Sequence, residues 1–274
     1  MKKTSLSHLT NIEVLSAAQS GSVLLLPIGT VESNGPHQLL GCDFIIAEKL
    51  ALAVAARTNA LVMPTLHYGL SEMHDSLPGT FTLSEPIFSQ LVETVVREAV
   101  RNGFTKIVMF NCHRQNIQPL EIIGRKMRRE ALADLALLDP LEITRDVAGE
   151  AFKGDGKWAT GHGGEPLMSL IAHLQGDDIR LDARFPPGLN SVAGLQPLGS
   201  SKFAFKASKV GLFPLSKEVN ASGAWADVTN SSAERGQVAF DKLCDYVVEF
   251  VEMFGTTDIL SNADQVARPS VRAG

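Results

Sequence analysis

Ser22-Val23-Leu24-Leu25-Leu26-Pro27-Ile28, followed by Glu32-Ser33-Asn34-Gly35-Pro36-His37 and then Asp43, is the stretch on which the reading of this chain turns. Val23–Ile28 is an unbroken apolar run, as expected of a strand buried on both faces. The residues after it place a carboxylate, an amide, an imidazole and a second carboxylate on a Gly/Pro loop. Polar ligand-type side chains on a loop leaving a buried strand are common material for an α/β site. From Asp43 to Arg57 the pattern becomes helical, with Ile45, Ile46, Leu50 and Val54 on one face.

The same strand–loop–helix unit recurs. Leu61–Pro64 reads as a short strand. Glu85–Asn102 reads as a helix, with Ser84 as N-cap, Pro86 in the first turn and Gly103 after the end. Lys106–Phe110 reads as a second apolar strand, Gln118–Asp134 as a helix with a charged face, and Leu135–Leu138 as another strand. Pro166–Leu174 and Ser232–Phe254 read as helices. This order predicts an α/β fold, a mainly parallel sheet covered by helices on both sides. Arg180–Val219, rich in Pro, Gly, Ser and Phe, reads as irregular structure or short strands. No linker or repeat divides the chain, so residues 1–274 are expected to form one domain, with a loose tail from about residue 255.

The 274 residues are 45% hydrophobic and 20% charged, with a net charge of −5, enough for a substantial core without staples. No basic stripe suggests nucleic acid, and no apolar run suggests a membrane span. The basic start Met1-Lys2-Lys3 lacks the apolar core of a secretory signal. Cys42, Cys112 and Cys244 are far apart, which excludes a Cys-rich zinc site and fits a reducing cytoplasm. Cys42 and Cys112 read as small buried fillers beside Asp43 and His113.

Two further loops carry histidines. Asn111-Cys112-His113-Arg114-Gln115-Asn116 follows the strand Lys106–Phe110, and Gly161-His162-Gly163-Gly164-Glu165 precedes a helix. Loops after parallel strands gather at one edge of the sheet. Glu32, Asn34, His37, Asp43, His113 and His162 are therefore expected to meet there. Carboxylates and imidazoles without thiols suit zinc, manganese or iron, which activate water and polarise carbonyls. A lone loop histidine is more often a hydrogen-bonding or solvated residue than a ligand; His67, His8 near the terminus and His173 on a helix are read as structural or surface residues. His74 lies in the polar loop Glu72–Thr80 and is intermediate.

Together these loops resemble the creatininase family of metal hydrolases. The family pattern Glu-x-His-Gly-x-His, with an Asp eleven residues after the Glu, is matched by Glu32, Gly35, His37 and Asp43. His74 with Pro78-Gly79-Thr80 matches a second motif. Asn111, His113 and Asn116 match a third, and His162-Gly163-Gly164-Glu165 a fourth. Gly223-Ala224-Trp225-Ala226-Asp227 and Ser232-Ala233-Glu234-Arg235-Gly236 look like the closing motif. The resemblance implies a three-layer αβα sandwich with the site at one sheet edge and a divalent metal, zinc or manganese with iron as a further option, on Glu32, Asp43 and His113.

The chain departs from the pattern where a second metal would bind. Asn34 stands in place of a histidine and Gln115 in place of a glutamate. One firm metal site is therefore expected, with a second weak or rebuilt, Glu165 being the candidate for rebuilding it. Creatininase also carries a Glu five residues beyond the fourth-motif histidine, where this chain has Leu167, so creatinine is not the expected substrate. The resemblance implies a homo-oligomer acting on a small polar molecule, by cleavage of a C–N bond in a cyclic amide or formamide. Ring opening of a cyclic ketone or lactone is the alternative, as is a non-enzymatic binding role. In the working mechanism Glu165 or Asp43 takes the proton of water. His162 protonates the leaving nitrogen or stabilises the oxyanion. His37 and His74 position the substrate, Arg114 pairs with an anionic group on it, and Trp158 acts as a lid.

Overall fold

Apolar runs too short for helices become the sheet, and the longer amphipathic segments cover it. A computed structural model describes residues 3–180, 182–183 and 185–259. In chain order the first half comprises α1 (Asn11–Gln19), β1 (Val23–Ile28), α2 (Cys42–Arg57), β2 (Ala60–Val62), α3 (Glu85–Arg101), β3 (Lys106–Asn111), α4 (Ile117–Arg129) and β4 (Asp134–Leu138). The second half comprises α5 (Pro140–Ala148), α6 (Leu167–Gln175), β5 (Gln196–Pro197), β6 (Lys202–Phe205), β7 (Ser208–Gly211), α7 (Ser216–Val219) and α8 (Ala233–Thr256).

β1 to β4 form one parallel sheet in the order β2-β1-β3-β4. Side chains alternate across it. Val23 and Leu25 of β1 pack with Val108 and Phe110 of β3 against α2 and α8. Leu24, Leu26 and Ile28 pack with Ile107 and Met109 against α3 and α4. With both faces covered, every position of β1 is buried, which is why its sequence shows no polar alternation. The architecture is the three-layer αβα sandwich expected.

Several boundaries differ from the sequence expectation. The second strand ends at Val62, not Pro64. α4 stops at Arg129, because Ala131 takes a left-handed φ of 51° and Asp134 already opens β4. α1 and α5 were not anticipated. Arg180–Val219 contains the antiparallel sheet β5-β6-β7 and the short α7, although Leu181 and Arg184 fall outside the described residues. α8 passes through Gly255 to Thr256, and the proposed tail beyond residue 259 lies outside the described residues, as do Met1 and Lys2. Among the described residues no helix is long and apolar enough to cross a membrane. All three cysteines are free and buried.

Candidate metal centre

From β1 the chain goes outward to β2 on one side and later returns to β3 on the other. The loops after these neighbouring strands leave from their carboxyl ends, the edge at which open parallel sheets bind ligands. The loop after β1 carries Glu32 and leads into α2, whose first turn holds Asp43. α2 packs so tightly on the strand end that a Cβ on Gly29 would lie 2.3 Å from the Phe44 nitrogen. His113 follows β3 directly.

These three side chains converge. His113 Nδ1 lies 2.8 Å from Asp43 Oδ2 and 3.6 Å from Glu32 Oε1. Its other nitrogen, Nε2, lies 2.5 Å from the Leu70 carbonyl, to which it can only donate. That contact fixes the ring and leaves Nδ1 as the atom facing the carboxylates. Ser71 Oγ donates to Glu32 Oε2 at 2.8 Å and shares a second 2.8 Å bond with Thr30 Oγ1. Glu32, Asp43 and His113 are all nearly inaccessible, at 3%, 3% and 5%. Burial pushes the Glu32 carboxyl up, the neighbouring Asp43 adds to this, and His113 offsets part of it. Burial also works against charge on His113, but Glu32, Asp43 and the Leu70 carbonyl prevail and hold it up at about 9. Two buried carboxylates side by side thus have one proton-carrying imidazole as compensation, a position a dication would fill.

On the other side of Glu32 stand His74 and His162. His162 Nε2 is 3.7 Å from Glu32 Oε1 and 3.1 Å from the Ser33 carbonyl. The two imidazole centroids are 4.0 Å apart. Burial holds His74 down at about 3, with His113 adding to this, and holds His162 well below its ordinary value, with His74, His113 and His37 adding to that. Ser216 Oγ and His74 Nδ1 share a 2.5 Å hydrogen bond. Ligand-type atoms therefore form two triads that share one carboxylate, Glu32–Asp43–His113 and Glu32–His74–His162, each within 4.8 Å.

His37 belongs to neither triad among the described residues. Its Nε2 and the Gln38 amide nitrogen both reach the Gly163 carbonyl, at 2.8 and 2.9 Å, and its ring stacks on Phe185. Glu165 belongs to neither triad among the described residues. Its carboxylate accepts from the Ser169 amide at 3.1 Å and the Ser169 hydroxyl at 2.6 Å, at the start of α6. Asn34 is buried and turns its amide toward the Glu32 carbonyl, at 3.5 Å. Arg114 is exposed and Gln115 half-buried. Trp158 packs with Phe203 and Trp225. The indole beside His162 is that of Trp225, with ring centroids 5.2 Å apart.

Sequence reasoning missed Ser71, the Leu70 carbonyl, Ser216, Gln38 and Trp225 as contributors. Only Trp225 had a signal, its place in the closing motif.

The family profile described as creatinine amidohydrolase matches residues 7–251, so the chain belongs to the creatininase family of hydrolases. Creatinine amidohydrolase of Pseudomonas putida is 30% identical over 194 residues, 62% of this chain and 74% of that protein. The mycofactocin precursor peptide peptidase of Mycolicibacterium smegmatis is 26% identical over 224 residues, 78% and 83% of the two chains. A solved structure titled "Creatininase Mn" superposes with a TM-score of 0.77 at 23% identity, covering 93% of this chain and all of that one. At that identity it supports the fold.

Proposed function

We propose that the protein is a metal-dependent amidohydrolase that cleaves a C–N bond of a cyclic amide or formamide in a small polar molecule. The observation that carries this reading is the burial of Glu32, Asp43 and His113 in one cluster at the carboxyl ends of β1 and β3. The donor set, two carboxylates and one imidazole, suits zinc or manganese. Such an ion lowers the pKa of water and polarises a carbonyl.

The remaining work belongs to the chain. The Leu70 carbonyl holds His113 Nε2–H, so that Nδ1 faces Glu32 and Asp43. Ser71 fixes Glu32 through Oε2, leaving Oε1 toward the imidazoles. With Asp43 Oδ2 turned to His113 and the ion position, the other oxygen of the Asp43 carboxylate is the one left to take a proton released during attack on the substrate carbonyl. Trp225, tilted against the His162 ring and 7% exposed, helps keep water from the far side of the cluster. Glu165, bound to Ser169, acts as an anchor for the His162 loop. One relative is named as an amidohydrolase and another as a peptidase, and both words denote C–N cleavage.

The test is turnover of a panel of lactams, formamides, short peptides and lactones by metal-stripped protein, before and after zinc or manganese is added. Lactam or formamide turnover that returns with metal, and is absent from His113→Ala, is the expected result. Turnover confined to lactones would replace the amide reading, and turnover indifferent to metal would end it.

A further inference from the structure

Glu32 stands between two imidazole groups, and its second group is built as a ligand set. Glu32 Oε1 lies 3.7 Å from His162 Nε2, almost the 3.6 Å separating it from His113 Nδ1. Both separations exceed hydrogen-bond length. They match the roughly 3.4 Å between two atoms that each sit about 2.1 Å from one tetrahedral ion. His74 completes the triad, within 4.8 Å of the other ligand atoms.

The supporting contacts are also those of a ligand site. Ser216, wholly buried, engages His74 Nδ1. That bond occupies Nδ1 and leaves Nε2 as the ligand atom. The His74 backbone is tied by its amide to the Ser71 carbonyl, at 2.9 Å. His162 is held on both sides. Its carbonyl accepts from the Trp225 amide at 3.2 Å, and the next carbonyl, Gly163, is gripped by His37 and Gln38. Such fixing of rings around a buried carboxylate is the preorganisation a metal site needs.

We propose that Glu32, His74 and His162 form a second divalent-metal site, so that Glu32 is the carboxylate common to two ions. The proposal rests on the reading above only through that shared residue. Two imidazoles and one carboxylate make a softer set than the two carboxylates and one imidazole of the first triad. Zinc or cobalt is therefore favoured in the second site, while the first accepts manganese. Filling it requires His162 Nε2 to exchange its Ser33 carbonyl contact for the ion.

The experiment is equilibrium loading of metal-stripped full-length protein with zinc, read by elemental analysis and by titration against a chromophoric chelator. Wild type is expected to bind two equivalents, and His74→Ala and His162→Ala one each. Because these variants remove buried rings, Ser216→Ala is included. It touches no ion and should weaken only one of the two zinc sites, by about tenfold. Folding of each variant is checked by circular dichroism. One equivalent in wild type that survives His74→Ala, His162→Ala and Ser216→Ala but is lost in His113→Ala overturns this site and leaves the first standing. One equivalent lost in His74→Ala and His162→Ala but kept in His113→Ala supports this site and overturns the first. No zinc in wild type overturns both.

Discussion

Ser71 Oγ donates a 2.8 Å hydrogen bond to Glu32 Oε2, so the one carboxylate shared by both triads has a fixed orientation. Ser71 is wholly buried and bonded as well to Thr30. Ser71→Ala frees the carboxylate to rotate and is expected to reduce metal affinity by about 10-fold or more. Far-UV circular dichroism should stay native. Competition with a chelator of known affinity measures the change, and an unaltered affinity would remove Ser71 from the account.

Gly163 is the pivot of the His162 loop. Its φ is +78°, and a Cβ there would lie 2.6 Å from the Asn34 carbonyl and 2.9 Å from Ala224 Cβ. Gly163→Ala combines a strained backbone with backbone and side-chain clashes. A loss of about 2 kcal/mol or more is expected, read by urea denaturation. A variant as stable as wild type would show that the loop is not held as described.

Metal-free protein should have a stability maximum near neutrality. Burial holds His74 at about 3, against 6.5 for an exposed imidazole, and keeps His162 low as well. Unfolding then takes up protons, so stability falls as pH drops from 6.5 toward 3. His113 has the opposite sign. Held at about 9, it contributes fully below 6.5 and loses that contribution as pH rises through 9. Glu32, pushed up by burial, also opposes folding once it ionises. A bound dication should remove the alkaline decline, since it takes the place of the His113 proton. Thermal melts of stripped and loaded protein across pH check this. Stripped protein that became steadily more stable between about pH 7 and 9 would contradict it.

Leu167 sits among Cys42, Ile46 and Met168 in an apolar cluster, 7% exposed. Leu167→Glu is expected to cost about 3 kcal/mol or more, because it buries an unpaired carboxylate. It should not confer creatinine turnover. A stable variant that hydrolyses creatinine would show that this position opens onto the site.

Most of the framework was legible because the buried strands are continuous apolar runs and the helices carry period-3.6 faces. α1 escaped because none of its residues is fully buried, so its face is faint. α5 has a legible start, Asp139 as N-cap with Pro140 next, but only nine residues over which to show a helical period. In the site, Glu32, Asp43 and His113 could be read because Glu32 and His113 lie on loops after parallel strands and Asp43 begins the helix that follows the first of those loops. The approach of His162 to Glu32 is expected from the gathering of loops at the sheet edge, but that of His74 is not, since it depends on the path of a long loop with no periodicity. Serines and backbone carbonyls that orient these side chains carry no sequence signal. Glu165 looked like a ligand beside His162. The start of α6 instead brings Ser169 within reach, and its amide and hydroxyl claim the carboxylate.

The most direct test of the central claim is a crystal structure of zinc- or manganese-loaded protein with anomalous data collected at the metal edge. An anomalous peak within bonding distance of Glu32, Asp43 Oδ2 and His113 Nδ1 is the predicted result. Well-ordered side chains around those three residues with no peak among them, in protein whose metal content has been measured, would contradict it.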